Sequence, residues 1–172
     1  MELGEAFVGE GPEAAHLNTV LGERNGPVGA AWATALATPT VGHAPFVVIA
    51  QPNLPVKPMT LFVNKATIAS PEHGRLTWGA AQLGVASGVL DAVADGILQA
   101  AELDYSVLIA AVWVDSSARD EDLVYANNRA ATTTAIRNGR FHLPALDEVL
   151  AVREVPINGY YVPRTLRGEE AP

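Results

Sequence analysis

The ten residues from Tyr105 to Val114, YSVLIAAVWV, form an almost unbroken apolar run between two long segments of helical pattern. A nearly all-apolar run of that length predicts a strand covered on both faces. Upstream, Thr77 to Ala100 places Trp78, Val85, Val89, Val93 and Ile97 on helical spacing. That predicts a long amphipathic helix whose small residues suit close packing. Downstream, Ser117 stands three residues before Asp120 in a capping arrangement, and Asp120-Glu121-Asp122 favours the positive end of a helix dipole. The second long helix so opened is expected to stop at Asn138-Gly139.

Toward the N-terminus, Gly4 to Gly9 and Glu13 to Leu21 lean to β-structure and flank Gly9-Glu10-Gly11-Pro12, which predicts a hairpin. The Gly-Glu-Gly there lacks a third glycine and a following helix, so it is not read as a dinucleotide loop. Pro27 opens a short helix to about Ala37, with Trp32 expected in the core. His43 to Ala50 and Thr60 to Ile68 predict two strands joined by a stiff, three-proline connection. The order ββαββαβα implies an α+β domain, a sheet with two long helices packed on it, spanning 1–172 as one unit. After Gly139 the chain is punctuated by prolines, and Asp147 and Glu148 fall on a short surface turn or helix.

The 172 residues are 49% apolar and 17% charged, which is enough core material for one ordinary domain. A net charge of −8 opposes a phosphate-backbone footprint, so no nucleic-acid partner is expected. With no cysteine, disulfides, thiolate nucleophiles and Cys-ligated metals are excluded. No uninterrupted apolar stretch reaches the ~18 residues of a membrane span, and the acidic N-terminus does not resemble a secretory signal. The expectation is a cytoplasmic protein with no membrane partner.

The four histidines do not share a helical metal-binding spacing, so no metal is predicted. His43, His73 and His142 lie next to turns or strand ends and read first as surface. His16 differs, because it interrupts the apolar segment Ala14-Ala15-His16-Leu17, where a buried imidazole needs partners. Alternation puts His16, Asn18 and Val20 on one face of that strand, with His16 and Asn18 roughly 7 Å apart. Lys65 and Thr67 share a face with Val63, and an inward lysine there is costly unless paired. Gln82 is the polar interruption of a small, apolar helix surface, either a ligand or a boundary residue. No triphosphate loop, GxSxG or HExxH pattern is present.

Four strings then carry a resemblance: Gly4-Glu5-Ala6-Phe7-Val8-Gly9 with Ala15-His16, Pro52-Asn53-Leu54-Pro55-Val56-Lys57-Pro58, Asn64-Lys65-Ala66-Thr67-Ile68, and Gly79-Ala80-Ala81-Gln82-Leu83-Gly84-Val85-Ala86. In this order they are similar to the formaldehyde-activating enzyme family, from about residue 3 to 140, with 141–172 divergent. The resemblance implies a fold like the second domain of ribosomal protein S5 and a homopentamer with sites near subunit boundaries. It implies condensation of formaldehyde with tetrahydromethanopterin, a co-substrate, to methylene-tetrahydromethanopterin and water. By position, His16 matches the family's general acid, while Val47, Lys65, Thr67 and Gln82 match pterin-contacting positions. Val47 enters through the resemblance alone. Asn18 stands where the family has aspartate, and Leu83 where it often has histidine, so the hydrogen-bonding shape is kept at residue 18 and the charge is not. The alternatives are a paralogue that binds a reduced pterin or one-carbon ligand without efficient catalysis, or an enzyme acting on another amine cofactor.

Overall fold

The computed structural model describes residues 1–166 and 168. Strands β1 (Glu2–Val8) and β2 (Ala15–Glu23) form the expected hairpin, closed by Gly9 and Gly11 at positive φ of 89° and 64°. Helix α1 (Pro27–Ala37) begins on its proline, as the sequence predicts. Three short strands follow: β3 (Phe46–Val47), β4 (Ile49–Gln51) and β5 (Leu54–Pro55). The three-proline connection therefore contains a small β4–β5 hairpin rather than a plain extended loop. Strand β6 (Met59–Asn64) ends earlier than its β-forming composition suggests. The Asn64 amide donates to Gly42 O and Ala66 O at 2.8 and 2.9 Å, which turns the chain there.

A continuous helical stretch occupies 71–94, comprising α2 (Pro71–Arg75), a π-helical segment (Leu76–Ala81) and α3 (Gln82–Ala94). It starts before Thr77 because Ser70 caps it, and it stops before Ala100 at Gly96, whose φ is 71°. Strand β7 (Ser106–Trp113) follows, then α4 (Glu121–Phe141) and α5 (Leu146–Ala151). The cap of α4 is Asp120, accepting from the amides of Asp122 and Leu123 at 3.0 Å, while Ser117 bonds Asp115 instead. Asn138-Gly139 does not end α4. Gly139 is buried against β1, where an added Cβ would stand 3.1 Å from the Gly4 nitrogen, and the left-handed residue that closes the helix is His142.

The sheet order is β1-β2-β7-β6-β3, antiparallel except for β6 with β7. This is an α+β architecture with a mixed sheet. One face carries Leu17, Phe62, Leu108, Ala110 and Val112, all essentially buried beneath α3 and α4. The opposite face is only half covered, by α1 beside Val107 and Met59, so β7 is fully buried on one side and half-buried on the other. Trp32 lines a cleft on that side and is half-buried rather than in the core. Helices α3 and α4 approach closely because Gly84 and Gly88 face α4: a Cβ there would lie 2.6 and 2.5 Å from the carbonyl oxygens of Tyr125 and Arg129. Among the described residues, no helix is long and apolar enough to cross a membrane.

Candidate active site

Strand alternation decides which residues of β2 can act. Ala15, Leu17, Thr19 and Leu21 point into the core, and His16, Asn18 and Val20 are half-buried on the partly uncovered face. The register sets Phe7 opposite His16 and Glu5 opposite Asn18 on β1, with Trp113 and Ala111 opposite them on β7. His16 Nε2 lies 3.2 Å from Glu5 Oε1. A carboxylate oxygen can only accept, so any hydrogen bond between the two is donated by Nε2.

Lys65 follows the last residue of β6, and its amide continues the ladder by donating to Val112 O at 2.8 Å. It stands level with Trp113 and His16, two strands or roughly 10 Å across the sheet from the imidazole. Its Nζ spans that gap partway and donates to Asn18 Oδ1 at 2.5 Å. The carbonyl end of the Asn18 amide is thus committed to a cation. Where a carboxylate would neutralise Lys65, the amide leaves the positive charge in place.

Thr67 is exposed and is held by a residue that its sequence position marked only as surface. His43 Nδ1 donates to Asn64 O at 2.9 Å, so in the neutral ring Nε2 accepts from Thr67 Oγ1 at 3.0 Å. His73 is no surface residue either. It is 1% exposed, its Nε2 donates to Val114 O at 3.0 Å, and its Nδ1 accepts from the Ala69 amide at 3.1 Å. A buried imidazole with both nitrogens engaged ties α2 to the end of β7, and only the fold reveals that pairing.

Val47 and Gln82 lie elsewhere. The Gln82 side chain clamps the backbone of Ile49, accepting from its amide at 2.9 Å and donating to its carbonyl at 3.2 Å. With Pro45, Phe46, Val47, Ile49 and Trp78 it lines a cleft of about 370 Å³. The π-helical segment carries Trp78 and delivers Gln82 to this edge, a local irregularity of the kind often found at functional sites. Val47 is three strands from His16 and four residues along, roughly 20 Å away. Within one chain the six candidates therefore form two groups: His16, Asn18 and Lys65 with Thr67 beyond, and Val47 with Gln82 at the other sheet edge.

The larger cleft, about 530 Å³, is at His16 and is lined by Glu5, Phe7, His16, Ile157, Gly159 and Tyr160. The C-terminal contribution was invisible in the sequence, because 157–160 carry no recognisable motif. Phe7 and Tyr160 meet edge-on at 5.7 Å between ring centroids, Trp113 and Tyr160 at 6.0 Å. Among the described residues, no group of three or more His, Asp or Glu side chains is placed to hold a metal ion.

A 5,6,7,8-tetrahydromethanopterin hydro-lyase of Methanosarcina barkeri is 41% identical over 152 residues, covering 88% of this chain and 85% of that protein. Bifunctional Fae/Hps enzymes of Methanosphaera stadtmanae and Methanothrix thermoacetophila are 40% and 38% identical over 92% and 94% of this chain. The chain spans only 40% and 42% of those two longer proteins. The family model described as formaldehyde-activating enzyme (Fae) matches residues 3–158, a span that holds all six candidates and most of the His16 cleft, and the chain belongs to that family.

Proposed function

We propose that this protein condenses formaldehyde with tetrahydromethanopterin, giving methylene-tetrahydromethanopterin and water, with His16 as the proton donor. The observation that carries the reading is a half-exposed imidazole at the wall of a large cleft, with the Glu5 carboxylate 3.2 Å from it. Addition of a pterin amine to formaldehyde forms one C–N bond and gives a carbinolamine. Its hydroxyl leaves far more easily as water, and an imidazolium supplies the proton at neutral pH. The second pterin nitrogen then attacks the iminium carbon and releases its proton, so the balance is one water lost. Holding that nitrogen against the carbon is an orientation effect worth several kcal/mol, on the order of what positioning commonly supplies.

Lys65, Asn18, Thr67, Val47 and Gln82 are the proposed pterin contacts. The ~20 Å between the two groups, estimated from strand spacing, exceeds what one bicyclic head group can bridge. A homopentamer in which one subunit's His16 group faces a neighbour's Val47–Gln82 edge meets that constraint, and we place this assembly in the cytoplasm.

Parent protein mixed with formaldehyde and tetrahydromethanopterin should exceed the spontaneous condensation rate, and His16→Ala should lose about 10²–10⁴-fold of that excess. A parent rate equal to background would sink the reading.

A further inference from the structure

The His16 cleft has an outer wall that belongs neither to the sheet nor to the helices. Every described residue from 141 to 161 is exposed, including the apolar Leu146, Val149 and Leu150 of α5. The arm nevertheless returns to the sheet at residues 157–160. There Asn158 and Tyr161 form a small bridge, and the Asn158 side chain accepts from the amides of Tyr160 and Tyr161 at 2.8 and 2.9 Å. This turn presents Gly159 and Tyr160 to the His16 face. Gly159 lies so close to Phe7 that an added Cβ would stand 2.1 Å from the ring. Tyr160 sets its ring edge-on to both Phe7 and Trp113.

We infer that residues 157–161 are a closing wall of the His16 cleft, and that Tyr160 is a specificity-determining residue that packs against the flat pyrimidinone half of the reduced pterin. The inference rests on the reading of the site given above. A ligand at the His16 imidazole in this cleft is bordered by Phe7 on the sheet side and Tyr160 on the arm side. The volume of about 530 Å³ falls in the range of sites that enclose small organic ligands. Aromatic walls are the usual partners of a planar heterocycle, each contact contributing beyond the area it buries. The Tyr160 phenol is neutral at physiological pH, as any tyrosine is, and partial burial against its neighbours followed by the Asp115 carboxylate raises its pKa further. An apolar lid also limits water at the iminium carbon, where hydration would regenerate the carbinolamine.

Three variants and two measurements test this. Tyr160→Ala should raise KM for tetrahydromethanopterin by about five- to tenfold, while Tyr160→Phe stays within about twofold of parent. Gly159→Val, which forces the arm off Phe7, should raise KM similarly while leaving Tyr160 in the chain. Calorimetric titration with tetrahydromethanopterin alone should weaken in the same order. Unchanged KM and unchanged binding in both Tyr160→Ala and Gly159→Val, with only the thermal midpoint lowered, would reduce the arm to a structural strap and overturn the inference. The two readings fail separately. A parent that binds the pterin but does not accelerate condensation defeats the enzyme proposal, and weaker pterin binding by Tyr160→Ala then still upholds the wall.

Discussion

Single polar side chains divide by what engages them. His16 has the Glu5 carboxylate beside one nitrogen and stands at the wall of a cleft, whereas His73 has both nitrogens committed inside the protein. The first arrangement leaves an imidazole able to exchange a proton with a bound molecule, and the second gives a structural tie. His73→Ala removes partners from the Ala69 amide and the Val114 carbonyl in a buried setting, which should cost about 2–4 kcal/mol in urea unfolding. Its effect on the KM for pterin should be small, because the ring never reaches the cleft. Lys57 offers a similar contrast with Lys65. It pairs with the exposed Asp104, whose carboxyl is held below the usual range by the lysine hydrogen bond. Lys65 has a neutral amide instead, which does not offset its charge.

Between elements, the tightest constraint is the α3–α4 interface. Arg129 makes two hydrogen bonds to Asp91 across it, but both side chains are substantially exposed, so the pair is worth little. The close backbone approach at Gly84 and Gly88 matters more. Gly88→Ala gains about 1 kcal/mol of helix propensity. The new methyl would meet the Arg129 carbonyl at 2.5 Å and Thr132 Cβ at 2.6 Å, neither able to move freely. The net effect should be destabilisation by about 1–3 kcal/mol, read as a lower denaturation midpoint. Gly79→Ala is the matched control: nothing lies within 4 Å of the point its methyl would occupy, so stability should hold or rise.

At the level of the whole molecule, the distance between the two candidate groups makes a prediction about assembly. His16→Ala removes the proposed acid, and Gln82→Leu removes the clamp that shapes the opposite cleft. If each site joins two subunits, co-expressed chains carrying one substitution each should regain about a quarter of parent activity, since random assembly reunites both intact groups in that share of interfaces. Mixtures as inactive as either variant alone would place the whole site within one chain. Sedimentation as a stable monomer would count against the assembly itself.

The sequence by itself determined the main strands and helices, though not all of their ends, because apolar periodicity is local: the β1–β2 hairpin, α1 from its proline, and β7 between two helices all follow from neighbours in the chain. It also marked His16, Lys65, Thr67 and Gln82 as polar residues in apolar or β-forming surroundings, and family resemblance added Val47. What it did not contain was long-range pairing. That Gln82 clamps Ile49, that Lys65 meets Asn18 across β7, that Gly139 is a packing residue rather than a helix stop, and that His43 braces Thr67 depend on contacts between residues far apart in the chain. The Tyr160 wall is the extreme case. Nothing near it in sequence is periodic or charged enough to announce a site, and only the folding of the arm onto Phe7 and Trp113 puts its ring beside His16.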